Sequence, residues 1–552
     1  MSDSPAATRG ARRHAHPALV LLIIAGAQLM VVLDGTIVNI ALPTMGQYFN
    51  KTQTDMTWAL NAYTLAFGGM LLLGGRSGDI LGRRRMFMVG LALFTVGSFS
   101  AGIAHTFPEL LIGRVIQGLG GAISSPTALS LIANEFEEGP ARNRAFAVYA
   151  AVSGAGAALG LLLGGVLTNY FSWRWVLFVN VPIGILLIVG AYFYVHESER
   201  LKGRFDFVGA VLSVGGLVSV VYGFIHVANT SWGNTQTFVV FGGAIVLLLA
   251  FVLYEVRGTK SPLMPMHIFD NRSRSGAYLV MLVVGAAMFG MFYFVTFFAQ
   301  GVLGYSSLKT GFAFLPVAFT IGITSQVVAR LMNRTGPKPI LMFGTALLTG
   351  ALFFLSGVDS HSTYAGNLLP GMLMLAVAMG CNFVPLTVTA VSKVKQTDAG
   401  LASALLNVGQ QIGGAIGLSV MATVFATSAK NFAGKHVAPL QQSIMQHFGP
   451  NLGKSVAALI QHAGKNGLDH TAITKFANSP AVPVGQRQSV LDFLNKGDYH
   501  HFAVQVQAHG SGAGFLTGAI FAVVAFVAAS TLIAVKKSDL PTGEGAEPVA
   551  VH

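Results

Sequence analysis

Only one of the 552 residues is a cysteine, Cys381, which leaves no intramolecular disulfide and no multi-cysteine zinc or iron–sulfur site. Charge is equally scarce: Asp, Glu, Lys and Arg make up 10% of the chain, against roughly 25% in soluble domains. There is no GxxxxGK[ST] and no soluble domain to house a nucleotide, which excludes ATP-driven pumping. HExxH, GxSxG and paired in-plane carboxylates are also missing, so nothing marks an enzyme or calls for a cofactor. The formal net charge of +13 would suggest nucleic acid if it clustered on a soluble face. It is instead scattered through loops between apolar runs, and no nucleic-acid partner is expected.

What the chain has in abundance is apolar sequence: 53% hydrophobic residues and a mean hydropathy of +0.63. Runs of about 20 residues, the length that crosses a ~30 Å hydrocarbon core, predict an all-α polytopic membrane protein of fourteen helices. They fall near 19–42, 56–75, 87–105, 109–133, 144–168, 175–195, 207–228, 237–255, 276–299, 310–330, 339–357, 366–391, 400–428 and 513–535; failure of a weak span would reduce the count to twelve or thirteen. The first run follows Arg9, Arg12 and Arg13 but is too long for a signal peptide's apolar core and carries Asp34, so it reads as a retained helix.

Of the 34 Lys and Arg residues, 23 fall in the tails and the loops on their side, three (Lys51, Arg174, Lys309) in short loops opposite, and Arg114 inside a span. This bias places both termini in the cytoplasm of a cell-membrane protein. The remaining seven lie in 429–512, the one long stretch outside the membrane, which reads as an external loop of short amphipathic helices such as 452–464. It holds seven of the fifteen histidines, including His500 and His501, but in no recognised ligand motif, and no metal site is expected.

An intramembrane charge needs a partner or a cavity. Asp34, in LDGTIVNIALP (33–43), and Arg114, in LIGRVIQGLGGA (111–122), lie at similar depth and could share one polar cavity, with Gln117 on the same face as Arg114 and Asn61 nearby. A cation lowers a carboxylate's proton affinity, so a state-dependent distance would switch Asp34 between binding and releasing a proton; a permanent structural ion pair is the alternative. The loop GGRSGDILGRRR (74–85) offers a tight turn at Gly78 and Gly82, Asp79 as hydrogen-bond acceptor or helix cap, and Arg83 as an orientation charge. RLMNRTGPK (330–338) echoes it at an offset of 254 residues, aligning Gly336 with Gly82, as duplicated six-helix halves would. Gly156, Gly160 and Gly164 form a four-residue stripe that admits another helix closely, and would be functional if two moving halves seal there. In WRWVLFVNVPIG (173–184), Asn180 and Pro182 suggest a local irregularity.

With these motifs in this order, the chain resembles the major facilitator superfamily, specifically its fourteen-helix drug:proton antiporters of the quaternary-ammonium and multidrug type. The resemblance spans nearly the whole chain. It implies a cytoplasmic tail (1–18), a six-helix bundle (19–200), two additional helices (201–257) and a second bundle (258–535) interrupted by 429–512, then a tail (536–552). It also implies a proton-coupled exporter of amphipathic small molecules, with Asp34 and Arg114 in proton coupling. Gly78, Asp79, Gly82 and Arg83 would form the gating loop, and Gly156, Gly160 and Gly164 the antiporter motif. That motif usually carries a Gly-Pro pair; here Leu161 follows Gly160. Asn61 stands where some dication exporters carry an acid, and the thirteenth span offers Asn407, Gln410 and Gln411. One titratable acid in the path suggests low proton stoichiometry and neutral, zwitterionic or monocationic cargo. Met288, Phe292 and Tyr293 suit an adaptable pocket, and Asn382, Asn407 and Gln411 suit a polar cavity wall. A proton-coupled importer, a narrow metabolite exporter and a non-transporting receptor are the rival readings.

Overall fold

The computed structural model describes residues 17–136, 139–197, 200, 205–259, 262–392, 394, 399–463 and 470–535. The basic head with Arg9, Arg12 and Arg13, the tail 536–552 and the Asn333 side chain lie outside the described residues. A bilayer offers no water to the backbone, so each apolar run satisfies its own peptide groups as a helix. The helices are α1 Pro17–Phe49, α2 Gln53–Leu81, α3 Arg83–Gly102, α4 Phe107–Glu135 and α5 Pro140–Tyr170. There follow α6 Trp175–Tyr194, α7 Phe207–Asn229, α8 Thr235–Arg257, α9 Arg272–Gly301, α10 Ser307–Met332, α11 Pro337–Ser356 and α12 Tyr364–Val391. The chain ends with α13 Ala399–Ala463, α14 His470–Ala477, α15 Arg487–Asn495 and α16 Asp498–Leu532. Thirteen are long and apolar enough to cross a membrane, and α5 adds a shorter apolar stretch, Ala155–Tyr170, in keeping with fourteen spans. Both described ends therefore leave from one face, here the terminal face; the other is the far face.

Helices α1–α6 pack on one another, as do α9–α12 with α13 and α16. Helix α7 lies in the seam between these two groups: Leu217, Val221 and Ile225 meet Leu65 of α2 and Ala415 of α13 in one apolar cluster. Asn229 donates to Asp55 Oδ1 at the start of α2 (2.9 Å), and Thr423 of α13 donates to the Phe224 carbonyl (2.7 Å). Helix α8 leans on α7 and otherwise faces outward.

The structure departs from the sequence reading most beyond residue 428. Helix α13 does not end with its apolar run but continues out of the far face as far as Gly449, whose non-helical backbone (φ 71°, ψ 177°) breaks it; a second helical stretch runs on to Ala463 and folds back so that Gly453 meets Ile444 and Met445. Helix α16 likewise begins at Asp498, outside its apolar window. The outer region therefore has a core of its own, built from Leu440, Ile444, Phe448, Val456, Ile473, Val490 and Phe493. Hydropathy windows end a helix where apolarity ends, whereas here an amphipathic face keeps the same helix packed.

Candidate functional site

Asp34 has no exposed surface, although it sits in the middle of an apolar helix. Its compensation comes from neighbouring helices. Arg114 Nη1 of α4 donates to Asp34 Oδ2 at 2.5 Å. The amides of Gln117 (α4) and Asn180 (α6) each donate to Oδ1 at 3.0 Å. Both also donate to Ser98 Oγ on α3, at 2.6 and 3.1 Å. Arg114 in turn donates from Nε to the Ala59 carbonyl of α2 and from Nη1 to Gln117 Oε1, each at 2.9 Å. Its guanidinium lies 4.5 Å from the centre of the Tyr63 ring, a cation–π contact. Protonating Asp34 would leave Arg114 the only ion in the cluster, so the paired and neutral forms are electrostatically distinct states of the α1–α4 contact. Along α1 toward the terminal face, Gln28 accepts from Tyr149 Oη at 2.6 Å, linking α1 to α5.

The residues of the 74–85 loop lie at the terminal face. Gly82 separates α2 from α3 with φ +108°, and its sequence echo Gly336 separates α10 from α11 with φ +78°. Both backbone angles suit glycine alone. Gly78 abuts Thr127. Asp79 does not cap α3; it accepts from Arg83 one turn on, at 3.0 Å. The cap is Glu197, which follows α6 and accepts the backbone N–H groups of Arg84 (3.0 Å) and Arg85 (3.2 Å). Glu197→Gln should weaken this cap by about 1 kcal/mol, read as a thermal midpoint lowered by a few degrees. An unchanged midpoint would show that Asp79 and solvent suffice.

The glycine stripe faces inward within its own group. Gly156 meets Leu29 and Val32, Gly160 meets Thr36 and Leu33, and Gly164 meets Ile37, all on α1. The seal between the groups lies one position along: Gly165 meets Ser307 and Leu308 of α10, and Gly311 of α10 meets the Leu161 carbonyl. Asn61 turns from Asp34 and donates to Ser419 of α13 at 2.9 Å. Tyr293 donates from its hydroxyl to the Gln53 carbonyl at the far end of α2. Phe292 packs on Phe314 with the rings tilted (centroids 5.6 Å apart). Met288 accepts from Gln410 Nε2 at 3.4 Å. Asn382 is fully buried against Gly344 of α11 and bonds its own helix at the Ala378 carbonyl (2.7 Å). Gln411 lies against Gly68 of α2, and Asn407 is half-buried. Between described residues, every hydrogen bond joining the two groups, including Gln300 to the Ile40 carbonyl (2.9 Å), lies between midspan and the far face. Beside Asp34, a side chain at Gly35 would meet nothing within 4 Å, so this face of α1 borders open space.

The Major Facilitator Superfamily model matches residues 24–418. The chain belongs to this superfamily. It is 39% identical over 420 residues to the puromycin resistance protein pur8 of Streptomyces alboniger, covering 75% of this chain and 83% of that one. It is 37% identical over 408 residues to the cephamycin export protein CmcT of Amycolatopsis lactamdurans (73% and 84%). The tetracenomycin C resistance and export protein of Streptomyces glaucescens is 32% identical over 409 residues (74% and 76%). Among solved structures, an inward-facing bacterial homologue of the lysosomal transporter Spinster superposes with a TM-score of 0.60 at 15% identity, covering 96% of this chain and all of that one. That likeness concerns the fold.

Within this superfamily fold, sequence reasoning missed several residues of the Asp34 cluster. Asn180 was visible as an amide in an apolar span, the same signal that marks Asn61 and Asn382. Ser98 carried no distinguishing signal, because a hydroxyl also satisfies itself within a helix, and nothing marked Tyr63 among the aromatics of its span.

Proposed function

We propose that this membrane protein is a proton-coupled exporter of amphipathic small molecules, with Asp34 as its proton carrier and Arg114 as the cation that competes with the proton. The observation that carries the reading is the Asp34–Arg114–Gln117–Asn180 cluster: a buried carboxylate neutralised by one cation and two reorientable amides. The names of the relatives, resistance and export proteins for antibiotics, supply the direction and the cargo class. The Lys and Arg bias assigns the terminal face to the cytoplasm. With the groups joined toward the far face, the structure then corresponds to a state open to the cytoplasm. Residues 19–200 and 258–535 rock about the central site, and residues 201–257 bridge the seam. Cargo enters beside Gly35, and the glycine stripe lets α1 and α5 move as one body. Each inbound proton contributes about 2.3 kcal/mol per 100 mV of membrane potential.

The test is accumulation of fluorescent cations and antibiotics in cells lacking their own efflux pumps. Expression should lower accumulation several-fold, and both Asp34→Asn and a protonophore should abolish the effect. Exclusion that survives Asp34→Asn would remove Asp34 from coupling, and exclusion indifferent to the protonophore would remove the proton.

A further inference from the structure

Two acids outside the Asp34 cluster meet at the base of the seam helices. Asp206 is the N-cap of α7, where its Oδ1 accepts the Gly209 N–H at 2.8 Å. Glu255 stands in the last turn of α8, and its Oε2 accepts the Met264 N–H, in the segment leading to α9, at 3.0 Å. The residues are only 4% and 5% exposed. Their remaining oxygens, Asp206 Oδ2 and Glu255 Oε1, are fully buried and meet no hydrogen-bond donor among the described residues. Both point at one spot above Gly209: a Cβ there would lie 2.6 Å from Glu255 Oε1 and 2.8 Å from Asp206 Oδ2. Among the described residues, the polar groups acting on Glu255 are Asp206 and the backbone N–H groups of Met264 and Leu263, and none of these is a cation.

Two ionised carboxylates in this arrangement would repel each other, with two acceptor oxygens unsatisfied and no counter-charge among the described residues. A metal cation does not fit, because a hard cation such as calcium needs about six to eight oxygens and this spot offers two. A single proton resolves both defects: a carboxyl O–H on one side donates to the orphan oxygen of the other. We propose that Asp206 and Glu255 share one proton, a second proton site remote from Asp34. The positive end of α7 favours the negative charge on Asp206, so Glu255 holds the proton and donates from Oε1 to Asp206 Oδ2. This bond ties the start of α7 to the end of α8, and the same Glu255 side chain holds the chain entering α9. The proton thereby fastens the seam helices to the second helix group.

The test uses the full-length protein in lipid nanodiscs and reads no transport, so it stands or falls apart from the exporter reading. In an Asp34→Asn background, infrared spectroscopy at neutral pH should show a protonated-carboxyl band. Adding Glu255→Gln should remove the band, and so should adding Asp206→Asn, whose amide donates to an ionised Glu255. Thermal unfolding gives an independent readout. A folded pair that keeps a proton the unfolded chain releases loses stability as pH rises above the unfolded carboxylate value of about 4. The thermal midpoint should therefore fall with rising pH more steeply in the parent than in Glu255→Gln. Absence of the band in the Asp34→Asn protein would overturn the proposal, as would a band that survives both substitutions. So would a midpoint raised by sodium or calcium in the parent and in neither variant.

Discussion

Arg114→Gln is expected to be among the most damaging single substitutions in the membrane region. It strips the counter-ion from a carboxylate with no exposed surface and leaves two amides in its place. Removing one partner of a buried pair costs about 3–5 kcal/mol, because the other charge remains buried and unpaired. Purified Arg114→Gln should therefore melt far below the parent, with much of the protein lost on size-exclusion chromatography. The double variant Asp34→Asn/Arg114→Gln should recover most of that stability, since no ion is left to compensate, while exporting nothing. This non-additivity is what a double-mutant cycle isolates. Parent-like melting of Arg114→Gln at neutral pH would mean that Asp34 already carries a proton in the resting protein, making the ion pair a transient of the cycle.

A comparable loss is expected from Gly160→Val, for a steric reason. A Cβ at position 160 would lie 2.0 Å from Thr36 Oγ1 and 2.8 Å from the Leu33 carbonyl oxygen. Backbone cannot yield as a side chain can, so α5 must lift from α1 beside Asp34. Overpacking of this kind costs about 1–3 kcal/mol and sometimes more, and here it also displaces the peptide next to the acid. Export should fall at least tenfold along with yield. Gly156→Ala is the matched control, because its Cβ would meet the tip of Leu29 at 3.1 Å, which can swing aside. Equal yield and equal export from the two variants would refute the close α1–α5 contact.

The parts of this architecture legible in the sequence are those set by hydrophobic length and by the expense of intramembrane charge. Fourteen apolar windows and a glycine-bearing loop with its echo were readable, and Gly82 and Gly336 occupy matching positive-φ turns. Asp34 and Arg114 announced themselves as the only ions well inside the apolar windows. Which face each helix turns to which neighbour was not readable. Helix α9 is apolar nearly all round, so no periodicity distinguished Tyr293, bonded to α2, from a pocket wall. The glycine stripe gave its smoothness but not its partner. Glu197 and Asp206 flank spans and Glu255 stands in the last turn of one, where a charge reads as an interfacial anchor. Their roles depend on where distant segments arrive, which one-dimensional pattern does not record.

The continuity of α13 through the far face has a mechanical meaning. From residue 429 to the bend at Gly449 the helix projects about 30 Å at ~1.5 Å per residue, as a stiff arm fixed to one helix group. Each degree by which that group tilts sweeps the arm's tip through about 0.5 Å. The region beyond the far face therefore acts as a pointer, turning small rotations of the membrane helices into displacements outside the bilayer. A spectroscopic label near Gly449 would report the transport cycle from the far face, without touching the cargo path.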